Sequence, residues 1–249
     1  DRLGAVFETL SSINPRLVYA SISGYGQQGD KRLMAGHDLN YLAYAGVLDQ
    51  LRDRNGTPIV PEIQIADVFG GAMHAVTAAL AGLVRRERGG QGCYVDVSMT
   101  DCCKPLNIAA LTLPDRATSP IGGNYACYNV YRTSDGGHVT LGAAEPKFWA
   151  NFCNAVGMPE LIRLQYEEGE TREATKAALD GLFKQRTRDE WCALLTDVDC
   201  CFAPVLRPED ASQLGEPAVI MPLKFAEQAT PRRAPAPRLG EHNILFFED

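Results

Sequence analysis

Apolar residues recur first at helical spacing: Leu3, Val6, Phe7 and Leu10 fall on one face, and Asn14-Pro15 ends the segment. The pattern then tightens into a β-prone run over residues 17–22. A glycine-rich stretch, 23–30, follows and reads as a loop. Residues 38–45 predict a short helix. Asn55-Gly56 with Pro58 and Pro61 marks a turn, and a second β-prone run is expected over 63–66. From Asp67 a long helix runs to about residue 86, closed by Gly89-Gly90. Its apolar side is mostly Gly and Ala, so a neighbouring backbone can approach closely. Residues 94–97 read as a strand. This alternation of strand and helix predicts an α/β layer in the first half of the chain.

Residues 113–123 mix proline and glycine without periodicity and read as a linker. Beyond them the pattern changes. Residues 129–132 and 138–141 flank the turn Ser134-Asp135-Gly136-Gly137 and predict a hairpin. Helices are expected over 146–156, 171–185 and 187–195, the last opened by a Thr187/Glu190 capping box. Residues 201–206 read as a strand, and the proline-rich remainder as a segment laid over a surface. The expected organisation is a large α/β domain within 1–112, the linker 113–123, a smaller α+β domain over 124–205, and a return segment over 206–249.

Composition is that of a soluble globular protein: 249 residues, 45% hydrophobic and 22% charged. No apolar run suggests a membrane segment, and no cationic leader precedes one. The formal charge of −7 argues against a general nucleic-acid binder. It still allows one polyanionic small ligand held by a few basic residues. Eight cysteines include the vicinal pairs Cys102-Cys103 and Cys200-Cys201 but no C-x-x-C. Reduced thiols in a cytoplasmic protein, with no zinc site, are expected. The chain opens at Asp1 within a helical pattern, as a piece of a longer protein would.

Several residues could carry chemistry. Gly24, Gly26 and Gly29 spell G-x-G-x-x-G after a strand, but no helix opens within the glycines, as dinucleotide binding needs. A flexible active-site loop is the better reading, with a nicotinamide-dependent oxidoreductase the minor alternative. His37, in Gly36-His37-Asp38-Leu39-Asn40-Tyr41, and Asp67, in Ile65-Ala66-Asp67, each open a helix after a loop or strand. Taken singly, Asp38 could be a helix cap and Asp67 a dipole partner. Together, an acid and a base of different type at one edge of an α/β layer suit proton transfer, with helix N-terminal amides free to hold an oxyanion. Glu145, followed by Pro146 at a first helical position, is a third candidate, with capping as its bland alternative. His74 reads as packing, His138 and His242 as hairpin and tail residues, and Arg85, Arg86 and Arg88 as a solvated helix end.

The run from Tyr19 through Ser23-Gly24-Tyr25-Gly26-Gln27 to Ala35-Gly36-His37-Asp38-Leu39-Asn40-Tyr41 resembles the α-methylacyl-CoA racemase branch of the family III CoA-transferase superfamily. The similarity continues through Ile65-Ala66-Asp67, Gln91-Gly92-Cys93-Tyr94-Val95-Asp96, Tyr131-Arg132-Thr133-Ser134-Asp135-Gly136, Glu145-Pro146-Lys147-Phe148-Trp149 and Leu239-Gly240-Glu241-His242. The resemblance implies a Rossmann-like large domain with a smaller α+β domain, and an interlocked homodimer. It makes Asp67 the shared carboxylate, a nucleophile in the transferases and a proton carrier in the racemases. His37 is then the racemases' second acid/base, and Glu145 the glutamate set against it. Gly36, Asp38 and Tyr41 match residues near the thioester, the Asp38 amide being an oxyanion donor. An acyl-CoA thioester is the implied substrate, coenzyme A entering as part of it and no other cofactor being expected. A transferase using Asp67 as nucleophile stays the alternative, and a catalytically inactive member a lesser one.

Overall fold

The structure is a computed structural model that describes residues 3–53, 55–113, 115–212 and 237–243. It divides into two compact units, Asp1–Ser119 and Pro120–Asp249, the boundary falling inside the aperiodic segment 113–123. Most of the expected return segment 206–249 lies outside the described residues.

In the first unit, helix α1 (Phe7–Ile13) leads into strand β1 (Val18–Ser23), then a glycine loop and helix α2 (Asp38–Ala45). A continuous helix, α3 (Ala66–Gly89), follows; its first eight residues, Ala66–Met73, are π-helical. Strand β2 (Cys93–Ser98) pairs parallel with β1, Val18 opposite Cys93 and Ser23 opposite Ser98. Both strands therefore end at the same edge. Beyond β2 the chain turns through α4 (Met99–Cys103) and α5 (Ile108–Thr112).

The glycines of α3 act as the sequence suggests. A methyl at Gly70 would sit 2.6 Å from the Met99 carbonyl oxygen and 2.9 Å from Cys103 Sγ, and one at Gly82 would strike Val18. The backbone of α3 thus lies directly on α4 and β1. Gly181, inside a helix of the second unit, has nothing within 4 Å of its missing Cβ. Gly70→Ala should therefore lower stability by roughly 1–3 kcal/mol through overpacking. Gly181→Ala should raise it by about 0.5–1 kcal/mol through helix propensity alone. Paired thermal melts check the opposite signs.

The other face of α3 is uncovered. Phe69, Met73, Val76, Leu80 and Leu83, at alternating spacings of four and three, are each between 37% and 59% exposed. By length and composition alone the helix could cross a membrane. On the side that lies on β1 and α4, Ala66, Gly70, Gly71 and Gly82 are buried.

The expected strand over 63–66 is absent, and this corrects the sequence reading. Ile63 is 67% exposed in a bend, whereas Ile65 packs into the core beside Tyr41 and Leu42 as the helix begins at Ala66. With Pro61 just upstream and no strand among the described residues paired with them, the β-branched residues lead into a helix instead. The glycine loop also differs from expectation, since it is pinned rather than free. Thr100 donates to the Gly24 carbonyl from both its N–H (3.0 Å) and its hydroxyl (2.8 Å), and the Gln27 N–H donates to Asp96 Oδ2 at 2.7 Å.

In the second unit, β3 (Tyr128–Arg132), β4 (His138–Gly142) and β5 (Phe202–Pro204) form an antiparallel sheet with β4 central. The expected 201–206 strand is observed over Phe202–Pro204. Pro204, opposite Val139, does not interrupt the pairing, since the next N–H, of Val205, still donates to the His138 carbonyl at 2.9 Å. Helices α6 (Pro146–Ala155), α7 (Gly169–Phe183) and α8 (Arg188–Leu195) pack on the sheet, and a short α9 (Pro208–Ser212) follows. Trp149, Phe152, Phe183, Trp191 and Tyr131 form the buried centre. Their polar atoms are paired: the Trp149 and Trp191 indole N–H groups donate to the carbonyls of Leu161 (3.0 Å) and Phe183 (2.9 Å). The Thr187/Glu190 capping box opens α8 as its sequence predicts.

Candidate active site

His37 is the N-cap of α2, its N–H donating to Asn40 Oδ1 at 3.1 Å. Asp38, one residue on, is buried, and its Oδ1 accepts the N–H of Asp67 at 2.9 Å. This bond joins the start of α2 to the start of α3. Asp38 does not cap its own helix; it caps α3, satisfying an amide that the helix start leaves unpaired. His37 and Asp67, 30 positions apart in sequence, are therefore separated by one peptide link and one hydrogen bond. Both are exposed, while Asp38 and Tyr41 beneath them are buried. The N–H of Asp38 stands at the α2 terminus, where the helix itself supplies no acceptor.

Tyr41 fixes the floor. Its hydroxyl donates to the Gly36 carbonyl at 2.5 Å, and its ring would collide with a side chain at either Gly24 or Gly36. Glycine is thus required at both positions for close approach. Burial, then Tyr25, then the Asp67 carboxylate push the Tyr41 phenol above its ordinary range, so it remains a neutral donor. Cys103, below Gly70, is pushed up to about 11 by burial and then by Asp38, which keeps it an uncharged packing thiol.

The π-helical opening of α3 leaves its carbonyls out of step with the normal ladder, and such turns recur at functional sites. His74 Nδ1 donates to the Phe69 carbonyl at 2.6 Å, with the rings edge to face. His74 is thereby a local partner of the wide turn, in keeping with its packing role.

Removing the Asp38 carboxylate should loosen this junction. Asp38→Ala should cost about 1–2 kcal/mol of stability, the usual value of a lost cap, whereas Asp38→Asn, which retains an acceptor, should cost less. Denaturant melts of the two variants check the difference.

Glu145 lies in the second unit, where it is the exposed N-cap of α6 and its side chain makes no capping bond. The bland explanation for a carboxylate at this helix start is thus set aside. Its backbone is held firmly. The Gln165 amide donates to the carbonyls of Ala143 (3.1 Å) and Ala144 (2.9 Å), the Tyr166 hydroxyl donates to Ala144, and α6 is anchored by buried Trp149 and Phe152. Tyr166 is pushed up to about 12 chiefly by burial, with Cys127 and Glu145 adding to it.

Two parts of the site were not read from sequence: the helix α4 that Gly70 lies on, and the place of Tyr25. The first had a signal. Ser98, closing a strand, accepts the Asp101 N–H at 3.1 Å, the S-x-x-D pattern of a capped helix start. Among the described residues no three His, Cys, Asp or Glu side chains are grouped as a metal site would group them.

Residues 1–243 match the profile of CoA-transferase family III, and the chain belongs to that family. It is 31% identical to the α-methylacyl-CoA racemase of Mus musculus, over 97% of this chain and 69% of that protein. It is 32% identical to the α-methylacyl-CoA racemase of Homo sapiens, over 82% of this chain and 55% of that protein. The acetyl-CoA:oxalate CoA-transferase of Acetobacter aceti is 30% identical over the whole chain and 70% of its own length. The chain thus spans little more than half to about two thirds of these relatives. A crystal structure of Rv3272 from Mycobacterium tuberculosis superposes with a TM-score of 0.76 at 27% identity, covering 98% of this chain and 73% of that one. The expected family III fold, α/β in class, is the observed one. Racemases and transferases both stand among the relatives.

Proposed function

We propose that the protein racemises 2-methylacyl-CoA thioesters by 1,1-proton transfer through an enolate, with His37 and Asp67 as the two acid/base groups. The observation that carries this reading is the junction at Asp38, which joins a histidine and a carboxylate of separate helices at one exposed edge. A transferase needs only the carboxylate; a proton carrier of a second type beside it has no part in acyl-anhydride chemistry. One group removes the α-proton, the enolate oxygen is held by a donor such as the Asp38 N–H, and the other group returns a proton to the opposite face. Each acid or base is typically worth about 10²–10⁴-fold in rate, and an oxyanion donor about 3–4 kcal/mol. Gly36 and Tyr41 shape the floor against which the thioester would lie. Glu145 completes the proposed set as the residue that the family resemblance assigns to the histidine. The chemistry calls on no cofactor beyond the coenzyme A of the substrate.

The rival is a transferase in which Asp67 becomes acylated and then carries CoA as a thioester. Hydroxylamine or borohydride, applied during turnover, traps such an adduct. The racemase reading expects no modification at Asp67, and a modified Asp67 with loss of activity would overturn it.

We further infer that the protein acts as a homodimer. The heptad-spaced stripe from Phe69 to Leu83 supports this, because so regular an uncovered apolar face suits burial against another protein surface. Light scattering on the full-length protein at low concentration should give twice the chain mass; a stable, active monomer would contradict it. Cytoplasmic residence is proposed on the reduced state expected of the thiols.

A further inference from the structure

Tyr25 carries no proton in the proposed reaction, yet it packs on the glycine that leads into His37. Its hydroxyl lies 2.6 Å from where a Gly36 side chain would begin, on a glycine already blocked by Tyr41. Its ring meets Tyr41 edge-on at 5.2 Å and Tyr44 edge-on at 5.5 Å. The loop that bears it is tied to β1, β2 and α4: the Gly26 N–H donates to Ser23 Oγ at 3.0 Å, the Gln27 N–H to Asp96, and Thr100 to the Gly24 carbonyl. The next residue, Gly26, has φ +88°, a left-handed conformation that sets the direction in which Tyr25 leaves the loop. A rigid path therefore runs from the sheet edge through Tyr25 to Gly36 and His37. The Tyr25 hydroxyl is itself buried and has no hydrogen-bond partner among the described residues. A buried unpaired hydroxyl is a cost rather than a gain, and the ring itself also reaches the glycine, its Cζ lying 3.3 Å from the same point.

We infer that Tyr25 is a positioning residue for His37, its ring wedging the Gly36–His37 peptide against Tyr41 and so holding the imidazole at one face of the reacting carbon. The inference rests on the racemase reading of His37 and Asp67. Because the two bases serve opposite faces, loss of the wedge should harm one enantiomer selectively, which general destabilisation would not do.

The test uses the full-length protein and compares Tyr25→Phe with Tyr25→Ala. The rate of α-deuterium uptake from D₂O is measured separately for the 2R and 2S forms of one 2-methylacyl-CoA. His37→Gln identifies the enantiomer whose proton His37 removes. Tyr25→Ala should slow exchange of that enantiomer by about 10- to 100-fold, as small displacements of a catalytic group do. The opposite enantiomer should change by no more than about threefold, its base being undisturbed. Tyr25→Phe should keep both rates within about twofold and melt at or above the wild-type temperature, since it discards only the unpaired hydroxyl. A second readout is independent of turnover: the His37 ring resonance, assigned by its loss in His37→Gln, should move in Tyr25→Ala and stay in place in Tyr25→Phe. Equal slowing of both enantiomers, an unmoved His37 resonance in Tyr25→Ala, or a loss of activity in Tyr25→Phe would overturn the positioning role. If the wild-type protein exchanges neither enantiomer, the racemase reading falls and the resonance comparison alone decides Tyr25. Should circular dichroism show Tyr25→Ala unfolded, Tyr25→Leu takes its place under the same outcomes.

Discussion

Asp67→Asn should abolish racemisation, lowering its rate by about 10²–10⁴-fold, the usual worth of one acid/base group. The fold should be nearly untouched. Asp67 enters the structure through its N–H, which bonds to Asp38 and is unchanged by the substitution, and its side chain is exposed. Surface changes of this kind ordinarily shift stability by no more than about 0.5 kcal/mol. The informative feature is what survives. His37 can still take the proton that faces it and return a deuteron to the same side, so one enantiomer should continue to exchange without inverting. Chiral separation of the products, with mass spectrometry for deuterium, reads both quantities at once. Loss of exchange at both enantiomers would show that Asp67 does more than carry one proton.

His37→Gln should give the mirror image. Racemisation falls by a similar factor of about 10²–10⁴, while exchange survives only at the enantiomer served by Asp67. Here too the His37 N–H keeps its bond to Asn40 Oδ1, which does not depend on the side chain at position 37. The two variants form a complementary pair, and that complementarity distinguishes two-base proton transfer from nucleophilic catalysis. In a transferase, Asp67→Asn would remove all activity and His37→Gln would leave the acyl transfer largely in place.

What could be read from the sequence, and what could not, follows from the range of the forces involved. Elements fixed by local pattern were legible: β1, α2, β2, the β3–β4 hairpin and the capped α8 all lie where periodicity and turn residues place them. The β-branched residues of the 63–66 segment fit a strand, but no strand among the described residues pairs with them, and the chain enters α3 instead. His37 and Asp67 were legible as candidates, since each opens a helix. The bond that unites them was not. It depends on the Asp38 carboxylate reaching across to a helix 29 residues further on, and nothing in the local spacing of either motif encodes that reach. Tyr25 was hidden for a similar reason. In sequence it is one aromatic residue among glycines, and only the folded chain brings it onto Gly36, beside Tyr41 and Tyr44.

Two-base proton transfer is put to the test by incubating the full-length wild-type protein in D₂O with a single enantiomer of a 2-methylacyl-CoA and no free carboxylic acid. Racemase chemistry predicts that deuterium enters the α-position as the opposite enantiomer appears, starting from either form. An unlabelled, stereochemically unchanged thioester, with CoA passing to a carboxylic acid once one is supplied, would contradict it.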